Sequence, residues 1–454
     1  MCRSSVVAMR RLLNRVPSTV RREWRIILAN ALALLLAVSG WNYYDVRYFI
    51  NYWFDYFKEG RPLDIYSGPP MAKVAYPPLA VYIFIVPHLI ATSLPYSSIA
   101  LVRLIDKAPL IAAFNMVYLI LRRRYGHTAG NLWLLNYMVY GVIADYQFDL
   151  VAVVFLLMGF IYLTERKYTA ASVMITLSAL VKQLLAVFMV FPLIELFKAR
   201  DYRGMARVLL VSLGVASVFI APFMLRNPYG FIGKVLLFHG ERYPQNYSLW
   251  ALPVHLSWYN IASLPSWLTW VWIMPFTLAL LILYLYFYRD TPVGHDSLLG
   301  YFALASLLML VLNKVGNPNY YLWASVFLAI YIARNIHRTP RRLISLYIFI
   351  PLLIGLIAGF LIEFTAAVVG DDILMVEDSN WVSAEQLIAW STGIDSILYK
   401  LIIYARSSPA FFTFFSVLNS ARGVTATVAT LLYNSYLIYT AVRIARDISR
   451  HKNR

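Results

Sequence analysis

Long apolar runs separated by short basic clusters set the pattern of this chain. Runs close to the roughly 17 to 25 residues that span a hydrocarbon core lie at 24–41, 99–121, 128–144, 147–164, 206–224, 265–288, 297–313, 342–362 and 423–443. Three shorter ones, 168–181, 184–198 and 320–334, predict spans that need helical neighbours or a locally thinned bilayer. The pattern predicts an all-α, polytopic membrane protein of about twelve transmembrane helices. No heptads, internal repeat or low-complexity tract interrupts it, so a single domain over 1–454 is expected.

Basic clusters assign the sides. Residues 1–23 carry six arginines, and further clusters stand at Arg122 to Arg124, Arg166 and Lys167, Lys198 to Arg207, Arg334 to Arg342, and in the tail from Arg443. All are expected in the cytoplasm, with 1–23 as a basic cytoplasmic N-terminus. That holds only if the apolar segment 76–94 does not cross. It is therefore read as a re-entrant or interfacial helix, opened by Pro77 and Pro78 and interrupted by Pro87. The same reasoning makes 395–418 interfacial. The first outer loop is then 42–98 and the last 363–422, with a third at 225–264, all rich in Tyr or Trp. Fourteen of the 22 acidic residues fall on this outer side.

Composition agrees. The chain is 61% hydrophobic and 14% charged, which excludes a soluble globular domain. Its net charge of +18 reads as cytoplasmic loops, and nucleic acid is not an expected partner. The one cysteine, Cys2, rules out an intramolecular disulfide. Four glutamines and that single cysteine suit a thermophile. A prokaryotic, archaeal cell membrane is the expected location, with the endoplasmic reticulum membrane as the eukaryotic alternative.

Candidate chemistry collects on the outer side. Asp45 follows the first span among aromatics in WNYYDVRYFINYW, where a carboxylate meets both an apolar tail and water. Asp145, Gln147 and Asp149 in ADYQFDL are read as one helical turn bearing two carboxylates at the membrane boundary, costly unless hydrated, paired or bound to ligand. Lys182 and Gln183 interrupt the apolar LSALVKQLLAVF; the bland alternative is a snorkelling lysine. HGERYPQNYSLW adds His239, Glu241, Arg242, Gln245 and Asn246, and VLNKVGNPNYYLW adds Asn313, Lys314 and Asn319. Three cations thus share a side with three carboxylates: the first set suits a departing phosphate, the second a hydroxyl nucleophile that must lose its proton. Tyr320, Tyr321 and Trp323 are expected to contact the apolar tail of an amphiphilic ligand. Arg103, Asp106 and Lys107 in LVRLIDKAPL fit a site or a structural ion pair equally well.

This layout resembles the GT-C superfamily of polyprenyl-phosphate-sugar-dependent glycosyltransferases. An Asp follows the first span, an aromatic-rich loop ends in YPPLA after Tyr76, and an Asp- and Gln-containing second outer turn comes next. YPPLA and VKQLL are similar to segments of the glucosyltransferases of lipid-linked oligosaccharide assembly, although Asp145 and Asp149 stand where those enzymes carry His and Asn. LNKVGNPNYYLW resembles the late outer motif of the first mannosyltransferase of GPI-anchor assembly. That enzyme has a D-x-D pair in its first loop, whereas YYDV supplies Asp45 alone.

The resemblance implies an inverting transfer of a hexose, mannose before glucose, from a polyprenyl or dolichyl phosphate carrier. The acceptor is a lipid-linked glycan, lipid or protein at the outer face. Asp45 would be the general base, and Lys314, Arg242 and Lys182 would hold the donor phosphate. Tyr76, Asp145, Gln147, Asp149, Gln183, Gln245, Asn246 and Asn313 would line the substrate site. No cofactor is expected; the alternative is a divalent ion shared by Asp45, Asp145 and Asp149. The rival class, a multispan transporter or lipid flippase, predicts an inverted repeat and charges in both halves of the membrane. A non-catalytic scaffold would have no need for lysines beside the carboxylates.

Overall fold

The computed structural model describes residues 18–39, 49–68, 75–95, 98–290, 295–375, 380–393 and 396–452. Among these, strands form only a two-residue parallel bridge, Gln245–Asn246 with Val315–Gly316, and an antiparallel pair, Asp372–Met375 with Asn380–Ser383. Everything else of regular structure is helix, as the hydrophobic pattern predicts.

Among the described residues three helices are long and apolar enough to cross a bilayer: Tyr202–Arg226, Ser266–Arg289 and Arg341–Val369. Ile99–Asp106 with Ala108–Leu134 and Ile397–Ser407 with Pro409–Ser420 reach that length only as bent pairs, and Pro78–Ser93, Asp149–Thr164, Tyr168–Val181 and Ser297–Leu312 are shorter apolar helices. Leu210, Leu213, Val218 and Leu225 stand exposed along Tyr202–Arg226. An exposed apolar row of this length is the surface a lipid tail covers. The protein is an integral membrane protein.

Side-chain contacts identify two ends of the bundle. Glu23, near the start of helix Ser18–Ser39, pairs with Arg122. At the other end of the same helix, Arg103 donates to the carbonyls of Val38 and Ser39 at 3.4 and 3.2 Å. Arg124 joins the first end through Glu165, and Arg334 acts there with them on Tyr125. Four residues after Arg334 stands Arg338, whose carbonyl accepts from Arg443. Lys107 joins the second by donating to the Ala144 carbonyl at 2.8 Å, at the C-terminus of helix Tyr137–Ala144. Cations at helix C-termini answer both the orphan carbonyls and the negative end of the macrodipole. Arg103 and Lys107 are thus helix caps, and Asp106 pairs instead with His88, whose Nδ1 lies 3.1 Å from both carboxylate oxygens.

The segment from Tyr76 to Lys107 therefore begins and ends at one end. The Tyr76 ring packs against Phe148 at 4.6 Å, beside the turn that follows Ala144, and Lys107 closes the segment at Ala144 itself. Helix Pro78–Ser93 and its return arm Ile99–Asp106, which starts on a Ser98 cap, form a non-crossing hairpin held by His88 and Asp106. The chain crosses afterwards, along Ala108–Leu134. That helix breaks at Gly126, whose φ of 88° only glycine adopts cheaply; its first arm, with Ile99–Asp106 before it, covers the run at 99–121, and its second arm, with Tyr137–Ala144 after it, covers the run at 128–144.

The last outer loop also returns to its origin. Asp371 pairs with Arg422 at 3.1 Å and accepts from Asn419 at 2.8 Å. Between them Ile397–Ser407 and Pro409–Ser420, bent by 102°, pack with Ala384 and Ile388 on a small core separate from that of the bundle. This agrees with the interfacial reading of 395–418.

Candidate active site

A buried ion pair organises the site. Asp149 opens helix Asp149–Thr164 and Lys182 follows helix Tyr168–Val181, so two antiparallel helices of similar length bring residues far apart in sequence to one level. At Lys182 the backbone turns extended, φ −137° and ψ 100°, before the short 3-10 helix Gln183–Met189. Its Nζ lies 3.3 Å from Asp149 Oδ2. Trp323 Nε1 donates to Oδ1 at 2.8 Å and Asn319 Nδ2 to Oδ2 at 2.7 Å; the same Asn319 amide lies 3.3 Å from Gln147 Oε1. Lys182 faces the rings of Tyr76 at 5.0 Å and Tyr320 at 5.3 Å, and Tyr320 stacks on Trp323 at 4.3 Å. Asp149 is fully buried and Lys182 nearly so. Such a pair persists because each charge has both a counter-charge and hydrogen bonds or ring faces to replace water.

A second group lies alongside. Gln183 Nε2 donates to the Val235 and Ala75 carbonyls at 3.2 and 3.4 Å. His239 Nε2 lies 3.0 Å from the same Ala75 carbonyl. Burial holds His239 down to about 3, and the positive charges of Arg242, Lys182 and Lys314 act in the same direction. The imidazole is therefore neutral and donates Nε2–H to Ala75. Gln183 and His239 thus share one acceptor, the Ala75 carbonyl, which joins the Lys182 turn to the turn that carries Arg242.

Lys314 is buried, and its ammonium donates to three carbonyls: Arg242 at 2.7 Å, Gly240 at 2.8 Å and Thr269 at 3.0 Å. Burial, reinforced by Arg242, lowers it to about 7. Its own carbonyl accepts from Gln245 in the parallel bridge. Asn246 contacts Asn317, and Asn313 folds its side chain back onto the Val315 N–H at 3.2 Å. Gln245, Asn246, Asn313 and Lys314 thus form the framework that joins the 240–246 and 313–317 turns.

Several expectations change. Asp145 and Asp149 do not share a helical turn: Asp145 ends helix Tyr137–Ala144, Tyr146 takes a left-handed φ of 58°, and Asp149 begins the next helix. Asp145 consequently faces Lys107 rather than Lys182, and desolvation, partly offset by Lys107, raises it to about 6. Tyr321 and Trp323 do not face lipid; both are fully buried, Trp323 on Asp149 and Tyr321 hydrogen-bonded to Tyr436 at 2.6 Å. Neither Lys182 nor Lys314 snorkels. Asp45 lies outside the described residues, between Ser39, whose carbonyl Arg103 holds, and Phe49, whose ring packs on Tyr76 at 5.4 Å. Among the described residues no three His, Cys, Asp or Glu side chains converge as a metal site would require. Sequence reasoning missed His88 and Lys234. The buried Lys234 contacts the Gly68 carbonyl and lies 5.8 Å from the Tyr52 ring, in the loop next to Val235.

Comparison with known proteins gives the family. Among solved structures the chain is similar to ArnT from Cupriavidus metallidurans bound to undecaprenyl phosphate, at 14% identity over 94% of this chain and 77% of that one, with a TM-score of 0.46. The apo state of the same protein gives 13%, 95%, 77% and 0.47. No curated protein matches. The model of glycosyltransferase family 87 matches residues 75–313, more than half of the chain, from the Tyr76 hairpin through Asp149, Lys182 and His239 to Asn313. The chain belongs to glycosyltransferase family 87 and is a membrane glycosyltransferase.

Proposed function

We propose that the protein transfers a hexose, mannose before glucose, from a polyprenyl or dolichyl phosphate carrier to a hydroxyl of a lipid-linked glycan, lipid or protein, with inversion. The observation that carries this reading is the set of buried cations: Lys182 beside Tyr76 and Asp149, and Lys314 on the Arg242 carbonyl, the two turns joined by Gln183 and His239 on the Ala75 carbonyl. Cations enclosed in a weakly polar site favour a leaving group that departs as a phosphate monoester. The opposite end holds Arg122, Arg124, Arg338 and Arg443, so the positive-inside bias argues for a cytoplasmic location there and an extracytoplasmic site.

Asp45 remains the proposed base, deprotonating the acceptor as it attacks the anomeric carbon. Asp149 is unsuited to that task, because both its oxygens are engaged by Lys182, Trp323 and Asn319. In the sequence Asp45 precedes by four residues Phe49, whose ring packs on the Tyr76 ring that Lys182 faces. Asp145, raised to about 6, is the alternative base. Lys314 acts on the phosphate through its field, since its protons go to carbonyls, while Arg242 provides the direct contact.

Incubating the purified protein with a panel of polyprenyl-phosphate sugars, and measuring released polyprenyl phosphate by mass spectrometry, tests the reading. Release that requires an acceptor is expected; no release from any donor defeats it. Asp45→Asn should lower turnover by at least about a hundredfold with donor binding kept. Near-normal turnover there, combined with loss in Asp145→Asn, would move the base to the second turn.

A further inference from the structure

The ammonium of Lys234 is an unanswered charge. It sits in the π-turn Gly233–Leu237, between helix Pro228–Ile232 and helix Phe238–Glu241, and is 3% exposed. Its one described acceptor is the Gly68 carbonyl. Among the described residues no carboxylate pairs with it, in contrast to Lys182. The stretch 69–74 that continues from Gly68 reads PPMAKV and contains no acid. Taking a lysine out of water without a counter-charge is costly, and such groups concentrate at functional sites.

The neighbours of Lys234 are hydrogen-bond donors. Tyr52 and Tyr56 lie one helical turn apart on Asn51–Lys58, with their hydroxyls 3.3 Å from each other, and the Tyr52 ring covers the ammonium. Gly68 threads past both: a Cβ there would come within 2.5 Å of the Tyr56 hydroxyl and 2.9 Å of that of Tyr52. A larger residue here would have to push both hydroxyls aside. With Tyr52 donating to Tyr56, the phenolic proton of Tyr56 is the one given outward. The two tyrosines are half-exposed and the lysine is not, so the donors form a recess with the cation at its base. An ammonium with two phenols suits the several oxygens of a phosphate better than a flat carboxylate.

The recess adjoins the site already described. Val235, the next residue, is tied through its carbonyl to Gln183, and Trp53, on the same short helix as Tyr52 and Tyr56, packs its ring against Tyr76 at 6.2 Å. Resting on the reading of the protein as a transferase that works on membrane lipids, we infer that Lys234, Tyr52 and Tyr56 bind a phosphate group carried by a lipid. Two lipids present that chemistry at this level of a membrane: the polyprenyl phosphate carrier and a phospholipid headgroup. Burial also lowers Lys234 to about 8, so the cation fades as pH rises through that value.

The test is equilibrium binding to the full-length protein in phosphatidylcholine nanodiscs, with polyprenyl phosphate in one arm and phosphatidylglycerol in the other. Lys234→Met should weaken one ligand at least about tenfold, the scale of a lost charge-assisted hydrogen bond, and Tyr52→Phe with Tyr56→Phe should weaken the same ligand less. Loss confined to polyprenyl phosphate assigns the carrier, and loss confined to phosphatidylglycerol assigns a phospholipid. Lys234→Arg should keep affinity and remove its decline above about pH 8. Unchanged binding of both ligands in a folded Lys234→Met protein overturns the inference. So does a double-mutant cycle in which Asp45→Asn cancels the cost of Lys234→Met, because the lysine would then belong to Asp45. Binding is read without turnover, so failure of every sugar donor would defeat the proposed function and leave this measurement decisive.

Discussion

Lys182 and Lys314 are both lysines buried at the same end of one bundle, and the protein answers their charges differently. Lys182 has a carboxylate, Asp149, and two aromatic faces. Lys314 has three carbonyl dipoles and the ring of Trp272 at 5.9 Å, with another cation, Arg242, nearby. The first arrangement cancels charge and fixes geometry. The second leaves a positive field in place, and a field is what a departing phosphate can use. One residue type therefore serves architecture in one place and electrostatics in the other.

The largest effect should come from splitting the cancelled pair. Lys182→Met leaves Asp149 buried without its counter-charge, at a cost of about 3 to 5 kcal/mol. Unfolding in detergent should show it, and adding Asp149→Asn should recover much of the loss. A single mutant as stable as wild type would mean that the pair does not organise the site.

Lys314→Met should cost less, about 1 to 3 kcal/mol, because the carbonyls it abandons are neutral. Its distinguishing mark is pH dependence. The folded lysine gives up its proton near 7 and the unfolded one near 10.4. Between these values the unfolded chain binds more protons, so this residue makes stability rise with pH. Wild type should gain stability relative to Lys314→Met from about pH 7 to 10. Donor affinity should move the opposite way, falling as pH passes 7 in wild type and staying flatter in the mutant. Parallel profiles would show that Lys314 carries no titrating field.

Arg242→Met should weaken the donor more than Lys314→Met does, and the double mutant should be non-additive, as expected where both act on one phosphate. Additive costs would place the two on different ligands. The smallest effect belongs to the ring faces. Tyr320→Leu removes one cation–π contact from Lys182, worth about 0.5 to 2 kcal/mol, and should leave the pH profile of donor binding untouched.

The helical class, the broken hairpin after Tyr76 and the returning last loop were all legible in the chain, because periodic apolar runs and basic clusters constrain each of them. The pairing of Asp149 with Lys182 was legible in principle: two runs of nearly equal length joined at 165–167 must bring their outer ends together. The turn at Tyr146 was not, since nothing in DYQFD announces a left-handed tyrosine between the two acids. Nor was the shell of Lys314, whose acceptors come from Gly240, Arg242 and Thr269, backbone atoms that any residue supplies. Lys234 stayed hidden for a related reason, as its partners lie on the first loop, more than 160 residues earlier in the chain.

The closure of the last loop has an evolutionary consequence. Asp371 and Arg422 bring the two ends of a fifty-residue excursion together, and the excursion packs with Phe364 to Val368 on a core separate from that of the bundle. The entropy of closing such a loop grows only slowly with its length, so insertions and deletions between these two residues leave the register of the helices on either side unchanged. This chain can thus carry a longer or shorter excursion there while the helices that frame it stay as they are.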